Sequence, residues 1–336
     1  VVPPGGTTVP RLNIIANDGI TIPQMRPLAP GDPYVMGSGQ RADLLVKAGP
    51  AGSSYYLMAL NPAAPKGWSA VSGSGIDPAP RQARISFDTP LALPAILATI
   101  VVSGTPINMQ LPVGPLPVPK GLPRIETMLN TPPNAERHIA LENCGDQKGT
   151  PPEDPTQRLP TCGWYFDRYD ADYWGGTLFH TLLMMRDDDD KGIPNPSDPE
   201  VPLVNFQKEG LFTHHEPLFN DMIAGNFEEW TVVNRSFSDH TFHIHQNPFL
   251  LTHLNGKRLP VPEWHDTIIV PAAVLPGGVD PPGNINTATF GSITFRTHFS
   301  PETVGSFVMH CHMLQHEDIG MMQRLKILPR KPNVID

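Results

Sequence analysis

The alternation of apolar and polar positions predicts short β-strands in two regions of the chain. In residues 1–90, strand-like runs of four to eight residues are bounded by Gly, Pro or Asn, as in RLNIIANDG, QRADLLVKAG, SSYYLMAL and RQARISFDT. From residue 136 onward the clearest strands are NFEEWTVVNRS, HTFHIHQNPFLLTHL, DTIIVPA, GSITFRTHF, GSFVMHCH and MQRLKILP. Many short strands separated by turn residues are typical of a β-sandwich or a Greek-key barrel.

The segment 91–135 joins these two regions and has a different character. It is apolar, but proline interrupts it too often for a helix, so we interpret it as an extended linker. The whole chain holds 41 Pro and 29 Gly among its 336 residues, which disfavours long helices throughout. The sequence therefore predicts an all-β protein with one domain in 1–90, a linker in 91–135 and a second domain in 136–336.

Composition removes two classes of function. Lys and Arg number 24 against 33 Asp and Glu, and the net charge of -9 argues against a nucleic-acid partner, which requires a basic face. No apolar run approaches the roughly 18 to 20 residues of a membrane span. No signal peptide is visible and the chain begins at Val1, so we expect a chain that was processed, cut or only partly observed.

Two of the 3 cysteines lie in one polar, proline-rich stretch. Cys144 and Cys162 would close a loop if they formed a disulfide, and such a bond indicates an oxidising compartment. The alternative is a pair of unpaired loop thiols. The third cysteine, Cys311, lies directly between two histidines.

Histidines concentrate in the segments DHTFHIHQNPF and GSFVMHCHMLQHEDIGMM. Because side chains alternate faces along a strand, His310 and His312 point to one side and Cys311 to the other. His243 and His245 share a face in the same way. Pairing of the two strands would gather four imidazoles around a common space.

On the opposite face Cys311 requires partners of its own. His316 can fold back to it from beyond the strand end, His240 can approach from the other segment, and Met321 follows a turn. Two His, one thiolate and a weak axial Met form a blue-copper site, whereas zinc more usually takes four firm ligands. The alternatives are structural histidines or fortuitous binding of nickel or zinc.

HTFHIHQNPF and HCHMLQHEDIGMM resemble the two C-terminal copper motifs of the multicopper oxidases, the laccase-like family. LAPGDPYVMGSGQRADLLV is similar to a late stretch of the middle domain of that family. The resemblance implies Greek-key cupredoxin domains, with 1–90 as the C-terminal part of the middle domain and 136–336 as the C-terminal domain. It also implies oxidation of a reducing substrate at a type 1 copper and four-electron reduction of O2 to water at a trinuclear copper cluster.

The resemblance carries over to individual residues. The type 1 ligands would be His240, Cys311 and His316 with Met321 axial; the type 2 ligand would be His243, and the type 3 ligands His245, His310 and His312. Glu317 resembles an acidic residue that relays protons to the cluster, the alternative being a surface carboxylate in a loop. Asp266 lies in PEWHDTIIV, which resembles a segment near the type 1 pocket, so it either touches substrate or is a carboxylate at a strand entry.

The chain departs from the family in one respect. Members supply two further HxH pairs from an N-terminal domain, and this chain has none beyond the two pairs already named. We therefore expect a second polypeptide that carries two such pairs, export to a periplasm or the cell exterior, and phenolic or similar donors rather than Cu(I). The alternatives are a Cu(I) oxidase of the same family, a stand-alone blue-copper or copper-binding protein and, least favoured, a metallohydrolase.

Overall fold

The computed structural model describes residues 10–28, 34–59, 95–105, 107–117, 119–143, 164–168, 193–195, 198–203, 222–236, 239–278, 288–318 and 321–330. Their contacts divide the chain into two units. The first comprises Val1–Met36 and Gln40–Leu122, and the second comprises Gly37–Gly39 and Pro123–Asp336. Among the described residues, no helix is long and apolar enough to cross a membrane.

The first unit consists of two small antiparallel sheets. Its strands are β1 (Leu12–Asn17), β2 (Ile20–Pro27), β3 (Ala42–Val46), β4 (Ser54–Ala59) and β5 (Ala95–Val101). One sheet has the order β2-β1-β3, and the other pairs β4 with β5. The hairpin between β1 and β2 turns at Asp18 and Gly19, whose positive φ angles of 52° and 77° are those of an Asp-Gly turn. Strand β5 lies in the segment interpreted above as a linker.

The second unit contains thirteen described strands and two described short helices. The helices are α1 (Ile125–Asn130) and α2 (Leu314–Asp318). The strands are β6 (Ala135–Asn143), β7 (Trp164–Arg168), β8 (Ile193–Asn195), β9 (Asp198–Leu203), β10 (Met222–Ile223), β11 (Phe227–Asn234), β12 (His240–Ile244), β13 (Phe249–Leu254), β14 (Lys257–His265), β15 (Thr267–Val270), β16 (Gly291–His298), β17 (Gly305–Cys311) and β18 (Met322–Leu328).

Two large sheets form a sandwich in this unit. The five-stranded sheet has the order β10-β18-β17-β12-β15, and the six-stranded sheet has the order β14-β13-β16-β11-β6-β7. Phe242 of the first sheet lies with its ring centroid 5.7 Å from that of Phe295 in the second, and Phe249 lies 4.3 Å from Phe295. All three rings are fully buried. The all-β prediction is confirmed.

One predicted strand is two strands in the structure. HTFHIHQNPFLLTHL is interrupted between β12 and β13, where Gln246 takes a positive φ of 60°. The chain thereby crosses from the five-stranded sheet to the six-stranded sheet, so that Phe242 and Phe249 approach the core from opposite sides. The continuous apolar pattern of this segment reflects burial in both sheets rather than one long strand.

A buried ion pair holds the parallel strands β6 and β11 together. The Arg137 guanidinium donates to both carboxylate oxygens of Glu228, at 2.5 and 2.9 Å. The indole Nε1 of Trp230 donates to the same carboxylate at 2.9 Å. Glu228 is 1% exposed, so its charge depends on these donors for stabilisation.

We expect Glu228→Ala to lower the free energy of unfolding by about 3 to 5 kcal/mol, because it removes the buried carboxylate to which both the Arg137 guanidinium and the Trp230 indole donate. Denaturant unfolding followed by fluorescence measures the change. The matched control is Glu136→Ala, which removes an exposed carboxylate from the neighbouring strand β6 and should shift stability by less than about 0.5 kcal/mol. Equal stability of the two variants would contradict a structural role for this ion pair.

Candidate metal centres

The pairing of β12 with β17 decides which histidines meet. Phe242 lies opposite Cys311, and His243 lies opposite His310. Since successive side chains point to opposite faces, Cys311 faces the same side as Phe242, while His243 and His310 face the other side. His240, two residues before Phe242, therefore shares the face of Cys311.

A buried triad forms on that face from His240, Cys311 and His316. Cys311 Sγ lies 3.5 Å from Nδ1 of each histidine, and the two Nδ1 atoms lie 3.2 Å apart. The point equidistant from all three atoms of such a triangle is about 2.0 Å from each, which is the length of a metal–imidazole bond. The three residues are 0%, 1% and 3% exposed, so water does not reach them freely.

Met321 is held beside this triad by main-chain hydrogen bonds. The Cys311 amide donates to the Met321 carbonyl at 3.0 Å, and the Met321 amide donates to the His316 carbonyl at 2.8 Å. The Met321 side chain is fully buried. Helix α2 follows β17 directly and turns the chain back, which brings His316 and then Met321 to Cys311.

Burial shifts the protonation of every member of the triad. It raises the pKa of the Cys311 thiol to about 12, because the thiolate loses its hydration. Burial lowers the pKa of His316 to about 4 and that of His240 well below its usual value. At neutral pH the imidazoles are therefore neutral and able to bind a metal. The thiol stays protonated at this pH and ionises when a bound metal ion stabilises the thiolate.

Four imidazoles gather on the opposite face of the same two strands. The ring of His243 lies with its centroid 5.0 Å from that of His245, 5.2 Å from His310 and 5.4 Å from His312. The Nε2 atoms of His245 and His310 are 3.2 Å apart. His310 is buried, whereas His243, His245 and His312 are partly exposed, so this group opens towards the surface of the described structure.

Hydrogen bonds fix the ring orientation of His243. Its Nδ1 lies 2.8 Å from the Asp266 carbonyl and 2.9 Å from Thr267 Oγ1. The Thr267 hydroxyl gives its proton to Asp266 Oδ1 at 2.7 Å, so both neighbours of Nδ1 accept and Nδ1 carries the proton. The unprotonated Nε2 of His243 is then free to bind a metal. Its pKa is lowered to about 4, mainly by burial, so the ring is neutral at pH 7.

His310 is oriented in a similar way. Its Nδ1 lies 3.2 Å from the Cys311 carbonyl and 3.7 Å from Glu317 Oε2. A carbonyl can only accept, so Nδ1 donates and Nε2 is unprotonated. Glu317 thus lies beside His310, with its side chain 26% exposed. Its role in proton transfer stays a prediction.

Asp266 contacts a candidate metal ligand. It lies at His243 in the four-imidazole group, and its Oδ1 is 3.7 Å from His243 Nδ1. Contact of Asp266 with substrate stays a prediction. The predicted disulfide between Cys144 and Cys162 lies outside the described residues.

Three residues that the sequence alone did not single out contact the candidate ligands. Ser236 Oγ lies 2.9 Å from His240 Nε2, and Thr267 binds His243 as described above. Gly39 lies so close to the His312 ring that a Cβ atom would overlap the imidazole. Ser236 precedes strand β12, and Thr267 lies on β15 opposite His243 of that strand, but nothing in the sequence distinguishes them from other small polar residues.

The donor atoms of the triad suit copper. A cysteine sulfur and two imidazole nitrogens are three of the ligands of a blue-copper site, and the triangle of Cys311 Sγ and the two Nδ1 atoms has the size that metal–imidazole bonds require. Two groups of residues meet the geometric conditions for holding a metal among the described part of the chain: His240, Cys311 and His316, and His243, His245 and His310. The fold and these ligand sets define a cupredoxin-type sandwich with sites suited to copper.

Comparison with known proteins agrees with this class. The sequence profile of the multicopper oxidase family matches residues 205–331. That region is similar to the multicopper oxidase family and contains all the candidate ligands described above. The resemblance drawn from the two histidine motifs is confirmed, and so is the Greek-key cupredoxin fold class.

Individual relatives cover parts of the chain. Laccase of Bacillus subtilis is 27% identical over 135 residues, and multicopper oxidase LPR1 homolog 5 of rice is 25% identical over 153 residues; each match covers 34% of this chain and 22% of the relative. A multicopper oxidase structure from Pseudomonas thermotolerans has a TM-score of 0.51 at 14% identity, covering 97% of this chain and 51% of that one. The chain thus spans about half the length of that solved relative.

Metal affinity of the triad should rise with pH. Because the folded-state pKa of Cys311 is about 12 and that of His316 about 4, binding near neutral pH displaces one proton, from the thiol. The apparent affinity for Cu²⁺ should therefore increase about tenfold per pH unit between pH 6 and pH 9. Competition titration against a chelator of known pH dependence measures it. Cys311→Ser should weaken binding and flatten this dependence, and a pH-independent affinity in the unaltered chain would exclude the thiol as a ligand.

Proposed function

We propose that this chain is the C-terminal part of a laccase-like multicopper oxidase, in which the triad accepts electrons and the four imidazoles hold half of the site that reduces O2. One observation carries the proposal. Cys311 belongs to the triad, while its two neighbours in the chain, His310 and His312, belong to the group of imidazoles on the other face. The two groups are therefore joined by a short covalent path through the main chain.

The residues divide into roles as follows. His240, Cys311 and His316, with Met321, would hold the type 1 copper, His243 would hold the type 2 copper, and His245, His310 and His312 would hold the type 3 coppers. When bound, copper supplies one-electron acceptance from a donor at the type 1 site and the reducing centre for O2 at the cluster. The chain orients the imidazoles through their Nδ1 protons and excludes water from the thiol.

Glu317 supplies protons in this proposal. Reduction of O2 to water takes up four protons, and Glu317 Oε2 lies 3.7 Å from the Nδ1 of His310 with part of its side chain open to solvent. A carboxylate in that position can take a proton from water and pass it towards the imidazole group.

The remaining cluster ligands come from outside these 336 residues. A cluster of the family type takes eight imidazoles, and the chain contributes four through its two HxH pairs. We place the other four on a second polypeptide that carries the N-terminal cupredoxin domain with two HxH pairs. The partial exposure of His243, His245 and His312 supports this, because ligands that share a metal with a partner must be reachable from the surface.

The substrate class proposed is a phenol or a similar small one-electron donor. The relative named laccase supports this choice over Cu(I), as does the absence of a dense methionine cluster from the sequence. Export to the periplasm or the cell exterior, with a Cys144–Cys162 disulfide, belongs to the same proposal. A stand-alone blue-copper protein is the second candidate, because the triad is complete within this chain.

Two substitutions should separate the two sites. Cys311→Ser should abolish both the blue thiolate-to-copper absorption and O2 consumption with a phenolic donor. His245→Ala should abolish O2 consumption and leave the blue absorption, since His245 lies on the other face of the strands. His253→Ala, which removes a histidine outside both groups, is the matched control and should change neither.

The same measurements test the partner. Native assembly, analysed by intact mass and copper content, should contain a second polypeptide and four coppers per copy of this chain. The separated chain should remain blue and consume no O2. Binding of four coppers with O2 turnover by the 336-residue chain alone would overturn the proposal, and blue colour with a single copper in the native state would favour the stand-alone protein.

Glu317→Gln should slow reoxidation of the reduced enzyme by O2 by on the order of 10²-fold, because the amide cannot carry the proton. Reduction of the enzyme by substrate and its copper content should stay close to those of the unaltered protein. Stopped-flow absorption measures the two half-reactions separately. The control is Glu302→Gln, an exposed carboxylate outside the site. Unchanged reoxidation would make Glu317 a structural residue.

A further inference from the structure

A series of buried polar side chains leads from the main chain to the ligand His240. Asn234 ends strand β11, Ser236 follows it, and both are 0% exposed, as is His240. Ser236 Oγ lies 2.8 Å from Asn234 Oδ1 and 2.9 Å from His240 Nε2. None of these contacts involves the thiol or the other ligands directly.

Two main-chain groups fix the orientation of the Asn234 amide. Its Nδ2 donates to the Val270 carbonyl at 3.1 Å, and its Oδ1 accepts from the Ser236 amide at 2.9 Å. A flipped amide would place oxygen against the carbonyl and nitrogen against the N–H, losing both bonds. Oδ1 therefore faces Ser236.

The orientation of Asn234 then determines that of the Ser236 hydroxyl. An amide oxygen can only accept, so the single hydroxyl proton of Ser236 is given to Asn234 Oδ1. Ser236 Oγ is left with lone pairs towards His240, and the 2.9 Å contact requires that His240 carry its proton on Nε2. The lone pair of the neutral ring is then on Nδ1, which faces Cys311 Sγ at 3.5 Å.

We infer that Ser236, held by Asn234, is a positioning residue that fixes the metal-binding tautomer of His240 and thereby sets the copper affinity and reduction potential of the triad. This inference rests on the proposed copper site. A hydrogen bond accepted from Nε2–H makes the imidazole a stronger donor to the metal and favours Cu(II) over Cu(I). Because the site is buried, water does not readily replace the lost acceptor.

Ser236→Ala tests this inference in the full chain. Its affinity for Cu²⁺ should fall by about 10- to 100-fold, and the reduction potential of the bound copper should rise. Competition titration and redox titration measure the two quantities, and the blue absorption band should shift or weaken. Ser236→Thr keeps the hydroxyl and should restore both values. Ser306→Ala, an exposed change of the same kind on the strand that carries Cys311, should alter neither.

The possible outcomes separate this inference from the proposed function. Wild-type affinity and potential in Ser236→Ala, with the blue band present, would overturn the inference and leave the proposed function intact. A wild-type chain that shows no blue band on copper loading would overturn both. Thermal unfolding without copper shows whether Ser236→Ala folds; if it does not, Ser236→Cys, whose thiol is a weaker acceptor of similar shape, takes its place with the same expected directions.

Discussion

The antiparallel register of β12 and β17 is the constraint on which both candidate metal sites depend. His243 lies opposite His310 and Phe242 lies opposite Cys311. A slip of one residue would turn every side chain of one strand to the other face, so that cysteine would meet the wrong set of imidazoles. Packing in the core stabilises this register, because a slip of β12 by one residue would remove the Phe242 ring from its contact with Phe295. Packing of an aromatic ring thus keeps two metal-binding faces apart on a single pair of strands.

Burial gives the two faces different chemistry. The face with Cys311 is closed, and desolvation there keeps the imidazoles neutral and the thiol protonated until a metal offsets the cost of the thiolate. The other face is partly open at His245 and His312. One face therefore encloses a candidate site for a single metal ion, while the imidazoles of the other face remain partly open to solvent.

Local pattern predicted the elements that follow simple alternation, such as β1, β3, β11, β15, β16, β17 and β18. It did not predict β2 and β14, because each contains two prolines. Both are edge strands, in which a proline can lack its N–H without the loss of a hydrogen bond between strands. Which strands lie at an edge depends on the assembled fold and is not visible in the local sequence. The separation of the candidate ligands into two groups was predictable because strand periodicity places Cys311 and His310 on opposite faces. The contacts of Ser236 with His240 and of Gly39 with His312 could not be predicted, because the proximity of these residues depends on the tertiary structure.

The closed triad also has a consequence for how fast metal can enter and leave. His240, Cys311 and His316 are almost completely inaccessible, and the last of them lies on the five-residue helix α2. A chelator cannot approach an ion held there while the helix is in place. Exchange must then wait for local opening of α2, so its rate is governed by the frequency of that opening rather than by the strength of the metal bonds alone. A metal once enclosed would be retained through conditions in which equilibrium favours its loss.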